Sequence, residues 1–171
     1  MEQQRKLADV FLADLERDAA ATRRTLERVP EGRNDWKPHE KSMRLGYLAA
    51  LVAHMPSWID LMISLDELDL GAPESQKFRP QEAASTAALL ESLEDSLAGA
   101  RRALKGATDE HLMKPWRLLV NGSVAAEQAR HIMIRDSVLN HLAHHRGQLT
   151  VYLRLTGALV PAIYGPSADE R

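Results

Sequence analysis

An all-α fold, four long helices bundled around one core, is what this sequence of 171 residues predicts, and three observations carry the prediction. Apolar residues recur at three- and four-residue intervals through four long windows. Clusters of Pro and Gly separate those windows, and alternating strand patterns are few. A single domain spanning residues 1–171 accommodates such a bundle, and a chain of this size buries roughly 70% of the surface it exposes when unfolded.

The first helix is expected over residues 5–29, on Leu7, Val10, Phe11, Leu15, Thr22, Leu26 and Val29, with Pro30 and Gly32 ending it. After a polar loop through Trp36 and Pro38, Ser42 can cap a second helix from Met43 to Leu65, kinked at Pro56. This helix is apolar nearly all round and is expected to be the most buried. Residues 66–80, with Gly71, Pro73 and Pro80, read as a crossover. A third helix follows from Pro80 to Gly106, its core face rich in alanine. Residues 107–122 read as a connector with room for one short helix or a hairpin, given the Asn121-Gly122 turn signal. The fourth helix is expected from Ser123 or Ala125 to Gly157, followed by an extended tail, ALVPAIYGPSADER, that Tyr152, Ile163 and Tyr164 can pin down.

Composition excludes several function classes. The 22 basic and 24 acidic residues are interspersed and leave a formal charge of −2, so nothing marks a nucleic-acid binder. No apolar run approaches about 18 residues, so no membrane span is expected. The segment MEQQRKLADVFLADLERD lacks a signal core. With no cysteine, disulfides, thiolate metal sites and a cysteine nucleophile are excluded. A soluble, cytoplasmic protein is the expectation.

The fourth helix carries the chemistry. In LNHLAHHRGQLTVYLRL, residues 139–155, three histidines fall within five positions. His141 and His145 are one turn apart, about 40° around the helix, and can grip one object. His144 points elsewhere, behind the pair or at the surface. A catalytic metal site usually takes three protein ligands and an open position, so a third donor is needed. His39 and His111 lie in loops and read as surface groups, and His131 sits three turns from His141. His54, in the middle of the buried second helix, is the remaining candidate. Each feature alone has a plainer reading, a hydrogen-bonded core histidine or a chance pair. Two rival metal sites fail: a zincin needs Glu where Leu142 stands, and no Glu is followed three residues later by His, as a di-iron bundle requires.

The second-helix stretch LAALVAHMPSW, the run NHLAHHRGQLTVYLRLTG and the following VPAIYGPSADE together resemble the DinB-like superfamily, almost end to end. That group includes damage-inducible proteins, bacillithiol S-transferases and mycothiol-dependent maleylpyruvate isomerases. The resemblance implies a four-helix bundle holding a divalent metal, nickel or zinc, on His54, His141 and His145. It also implies activation of a low-molecular-weight thiol or a water, in stress response or detoxification, and commonly a homodimer.

A metal on three neutral imidazoles keeps its double charge and lowers the pKa of a bound water or thiol. Any thiol must come from outside, since the chain has none. Gln148 and Tyr152 follow the pair along the helix and can either orient a small-molecule substrate or serve as ordinary polar groups of the bundle. Arg146 lies on another stripe and reads as an anchor for the tail or an interface, with Asp169 or Glu170 as a partner. The function expected is a metal-dependent transferase or hydrolase of small molecules; the alternative is a metal-binding or structural bundle without turnover.

Overall fold

The computed structural model describes residues 6–170; the expected helix start at residue 5 lies outside them. The Lys6 side chain makes no cap for helix α1 (Leu7–Leu26), and the backbone N–H of Leu7 donates to Asp109 Oδ1 at 2.9 Å. Its core stripe buries Phe11, Leu15 and Leu26.

The second helix divides at Pro56, which lacks an N–H and whose ring collides with the carbonyl one turn back. The two parts, α2 (Leu45–His54) and α3 (Ser57–Ser64), meet at 50°. They are apolar because they fill the core: Leu45, Leu48, Met55 and Ile59 are all at most 1% exposed. Among the described residues, no single helix is long and apolar enough to cross a membrane.

Helix α4 (Thr86–Gly106) begins six residues later than Pro80 suggested, because Ser85 Oγ accepts from the Ala88 N–H and fixes the start. The crossover before it folds into a 3₁₀ segment, Pro73–Phe78. A short helix, α5 (Asp109–Met113), fills the expected connector, capped by Thr108.

The all-α expectation is corrected by a three-stranded sheet in the order β1-β2-β3. Strand β1 (Glu67–Asp69) pairs in parallel with β2 (Pro115–Val120), and β2 pairs antiparallel with β3 (Ser123–Ala129). The hairpin turns on Asn121 and Gly122, both at positive φ (50° and 77°). The Gly122 N–H donates to Asp69 Oδ2 at 2.7 Å, which ties the hairpin to the crossover. Strand β3 occupies the expected start of the fourth helix. Its sequence SVAAEQA has no strand composition, so pairing with β2 and the turn override a local preference for helix.

The last helical segment is therefore shorter than expected. It starts as α6 (Arg130–Ile134), passes through a π turn at Arg135–Asn140 and continues as α7 (His141–Leu155). A π turn shifts every later side chain around the axis, and such turns gather at functional sites. Gly157, at φ 81°, ends α7: its N–H donates to Arg154 O and that of Ala158 to Leu153 O, the paired bonds of a glycine-terminated helix.

The tail folds back over its own α1 and α7. Glu170 pairs with Arg28 at 2.6 Å, Asp169 with Arg154 at 2.6 Å, and Arg24 donates to Ala162 O at 3.0 Å. Arg146 does anchor the tail, but through Tyr164; its acidic partner is Asp18 of α1, not Asp169 or Glu170.

Candidate metal centre

Two of the three expected donors are together. One turn apart at the start of α7, the rings of His141 and His145 lie 4.5 Å centroid to centroid, tilted 43°. His145 is 5% exposed. Its Nδ1 stands 2.8 Å from Gln148 Oε1. An amide oxygen only accepts, so Nδ1 carries the proton and Nε2 keeps its lone pair, the tautomer a metal ligand needs. Gln148 thereby orients His145. His144 is exposed, its ring 5.0 Å from that of His145.

The third donor is turned away. His54 is half-buried at the end of α2, and its Nε2 donates to Phe78 O at 2.9 Å, with Ser57 Oγ at 3.3 Å. The Trp58 ring neighbours both histidines, 6.5 Å from His54 and 6.3 Å from His141. His54 opens on a polar groove with Ser57, Glu91 and Asp95. Among the described residues, no three His, Asp or Glu side chains are arranged to hold a metal. The imidazoles of His141 and His145 are of a type that suits a divalent ion, but they are two donors, and His54 is bonded to Phe78 O.

The remaining sequence candidates are placed elsewhere. Tyr152 is 9% exposed, donates to Met43 O at 3.1 Å and packs edge-on against Trp36 at 5.4 Å, so it braces the loop before α2. His111 is no surface group: it is half-buried and its Nε2 donates to Ile63 O at 2.8 Å. His39 is exposed.

Sequence reasoning missed the cavity beside His141. It measures about 440 Å³ and lies between α2–α3, the crossover, β2 and the last helical segment, walled by Leu51, Trp58, Met62, Phe78, Trp116 and Met133 among others. Among the described residues, no carboxylate lines it. The available signal was two tryptophans, in MPSWIDL and KPWRLLV, in a chain with only 5% aromatic residues. Large rings at element junctions wall cavities well.

Burial holds the His145 imidazole below its ordinary value of 6.5; the Gln148 bond opposes this, and His141 and His144 reinforce it. Burial also lowers His54, opposed by the Phe78 carbonyl. Between each folded value and 6.5 the unfolded chain holds more protons, so stability rises with pH through that window and is lost as pH falls. Thermal unfolding in a chelator is therefore expected to show a Tm that drops below about pH 6.5. A His54→Gln/His145→Asn double variant should lose most of that slope. If the slope survives unchanged, these rings are not its source.

The fold and the site define a class: a small, mainly helical protein with an imidazole pair on its last helix, one member of which, His141, lines an apolar cavity. The chain belongs to the DinB family, whose model matches residues 1–171. A Bacillus subtilis (strain 168) protein, YrdA, described only as uncharacterized, is 28% identical over 166 residues, 95% of this chain and 90% of that protein. The fold is shared with two crystal structures, each 19% identical to this chain. One is a DinB-like protein from Bacillus cereus ATCC 10987, at a TM-score of 0.67 over 90% of this chain and 95% of that one. The other is the DinB-like protein YjoA from Bacillus subtilis, at 0.65 over 94% and 98%.

Proposed function

We propose that this DinB-family protein is a metal-dependent transferase or hydrolase of small molecules, using an external thiol or water. The observation that carries the reading is the bare Nε2 of His145 beside His141, next to an apolar cavity of ligand size. His141 and His145 hold the ion, with His54 as third donor once its ring leaves Phe78 O. Imidazole donors suit zinc or nickel. When bound, such an ion supplies Lewis acidity that turns a thiol or water into a strong nucleophile near neutral pH. The chain's own residues do the rest. Gln148 keeps the His145 tautomer, Trp58 and His141 border the substrate, and the apolar wall excludes water.

Elemental analysis of the purified chain tests this, with about one divalent ion per chain expected. His145→Ala should lower metal content at least about tenfold, and Gln148→Ala should weaken affinity by about 10- to 100-fold through loss of the ring's orientation. Full occupancy in a His54→Ala/His141→Ala/His145→Ala variant would overturn the site. A thiol-conjugation screen separates the enzyme from a non-catalytic metal-binding bundle: helix loss on chelation without turnover of any electrophile favours the latter.

A further inference from the structure

The apolar cavity carries a single permanent charge. Among the described residues that line it, that charge is Arg79, from the crossover, and no carboxylate joins it. The Arg79 guanidinium is exposed and makes no hydrogen bond or ion pair among the described residues. By contrast, Arg44, Arg117 and Arg130 are each paired with a carboxylate. Tyr47 of α2, with Ser137 and His141 of the last helical segment, also lines the cavity without a hydrogen bond to another described residue. Ser75 is engaged, its Oγ donating to Leu70 O and Ala72 O. The rest of the lining is chiefly hydrocarbon and aromatic surface.

We infer that this cavity binds an apolar-tailed carboxylic acid as its anion, the tail packed among Leu51, Met62, Phe78 and Met133 and the carboxylate paired with Arg79. A volume of about 440 Å³ lies within the range of small-molecule sites. A guanidinium offers its N–H groups as a planar fork that matches a carboxylate, and the Ser137 and Tyr47 hydroxyls add donors on the same wall. One guanidinium balances one carboxylate, whereas a phosphate monoester brings about twice that charge. A cationic ligand meets like charge with no acid on the wall to offset it. A neutral apolar ligand fills the space but leaves the guanidinium to water. The inference names the substrate class of the cavity that the proposed function uses, and binding itself does not rest on the metal.

The test titrates the full chain calorimetrically with octanoate, methyl octanoate and octylamine, which share a chain length and differ in the charge of the head. Octanoate should bind at least about tenfold more tightly than the ester or the amine, the effect of one charge-assisted hydrogen bond. Arg79→Gln should remove that preference and leave the affinity for the ester unchanged, while Arg102→Gln, at an exposed arginine of α4 outside the cavity lining, should change nothing. To place the tail, 8-bromooctanoate should quench the fluorescence of Trp58 and Trp116, which line the cavity, read in a Trp36→Phe background. No binding of octanoate, equal affinity for acid and ester, a preference that survives Arg79→Gln, or binding without quenching overturns the proposal. The octanoate and ester titrations are repeated in EDTA. A preference that EDTA abolishes assigns the carboxylate to the metal of the proposed function and likewise overturns the role of Arg79, whereas a preference that persists stands even if the protein holds no metal.

Discussion

Replacing Arg146 with alanine is expected to destabilise the protein by about 3–5 kcal/mol, the usual effect of stripping one partner from a buried ion pair. The guanidinium is 1% exposed; Nη1 donates to Asp18 O and Thr22 Oγ1, each at 3.0 Å, and Nη2 to Asp18 Oδ1 at 3.1 Å. Tyr164 of the tail closes the network, accepting from Arg146 and donating to Asp18 Oδ1 at 3.0 Å. One side chain thus joins α1, α7 and the tail. Without it the Asp18 carboxylate, itself 5% exposed, keeps one hydroxyl for a partner. A drop in Tm of roughly 10 °C follows for a chain of this length. An Asp18→Leu/Arg146→Met pair should be much less harmful than either single change, because it removes both charges together. If the double variant is as unstable as the sum of the singles, the pair contributes through packing and not through charge.

Arg130→Ala is expected to cost about 3 kcal/mol or more and to loosen the hairpin selectively. This guanidinium is also 1% exposed and serves carbonyls rather than a buried acid: Met62 O at 2.9 Å, Leu65 O at 3.2 Å and Pro115 O at 3.0 Å, with Asp66 at the surface. Two of those carbonyls belong to the C-terminal turn of α3, where acceptors have no helical partner and a cation is favoured. The third begins β2. Hydrogen exchange should show the β2 amides, those of Trp116 and Leu118 included, losing protection well before those of Leu93 or Leu97 in α4. Arg130→Lys should rescue little, since one ammonium does not span three separated carbonyls. Uniform loss of protection across the chain would mean that Arg130 supports the whole core and not the hairpin.

Much of the helical framework was legible in the sequence because it rests on local physics. The apolar stripes of α1 and α4, the break at Pro56 and the stop at Gly157 each follow from side-chain spacing or from a backbone that only Pro or Gly suits. The DinB signature in the last helix was equally local, and so was the pairing of His141 with His145, since one turn of helix fixes it. Strand β3 was not legible, because SVAAEQA becomes a strand only through pairing with β2, a contact between chain segments that no propensity scale contains. The π turn before His141 was hidden for the same reason.

Chemistry divides along that line too. The residue types alone ruled out thiolate chemistry within the chain and put imidazoles on the second and last helical segments. Whether those imidazoles meet depended on tertiary contacts: Phe78 O from the crossover holds His54, and the Trp58 ring packs beside both His54 and His141. Tyr152 and Arg146 share the His145 helix, yet Met43 O and Asp18 draw them away from the cavity. The cavity arises only where α2–α3, the crossover, β2 and the last helical segment come together. Side-chain spacing along one element is set by covalent geometry and can be read from the sequence, whereas the void between elements depends on how all of them pack.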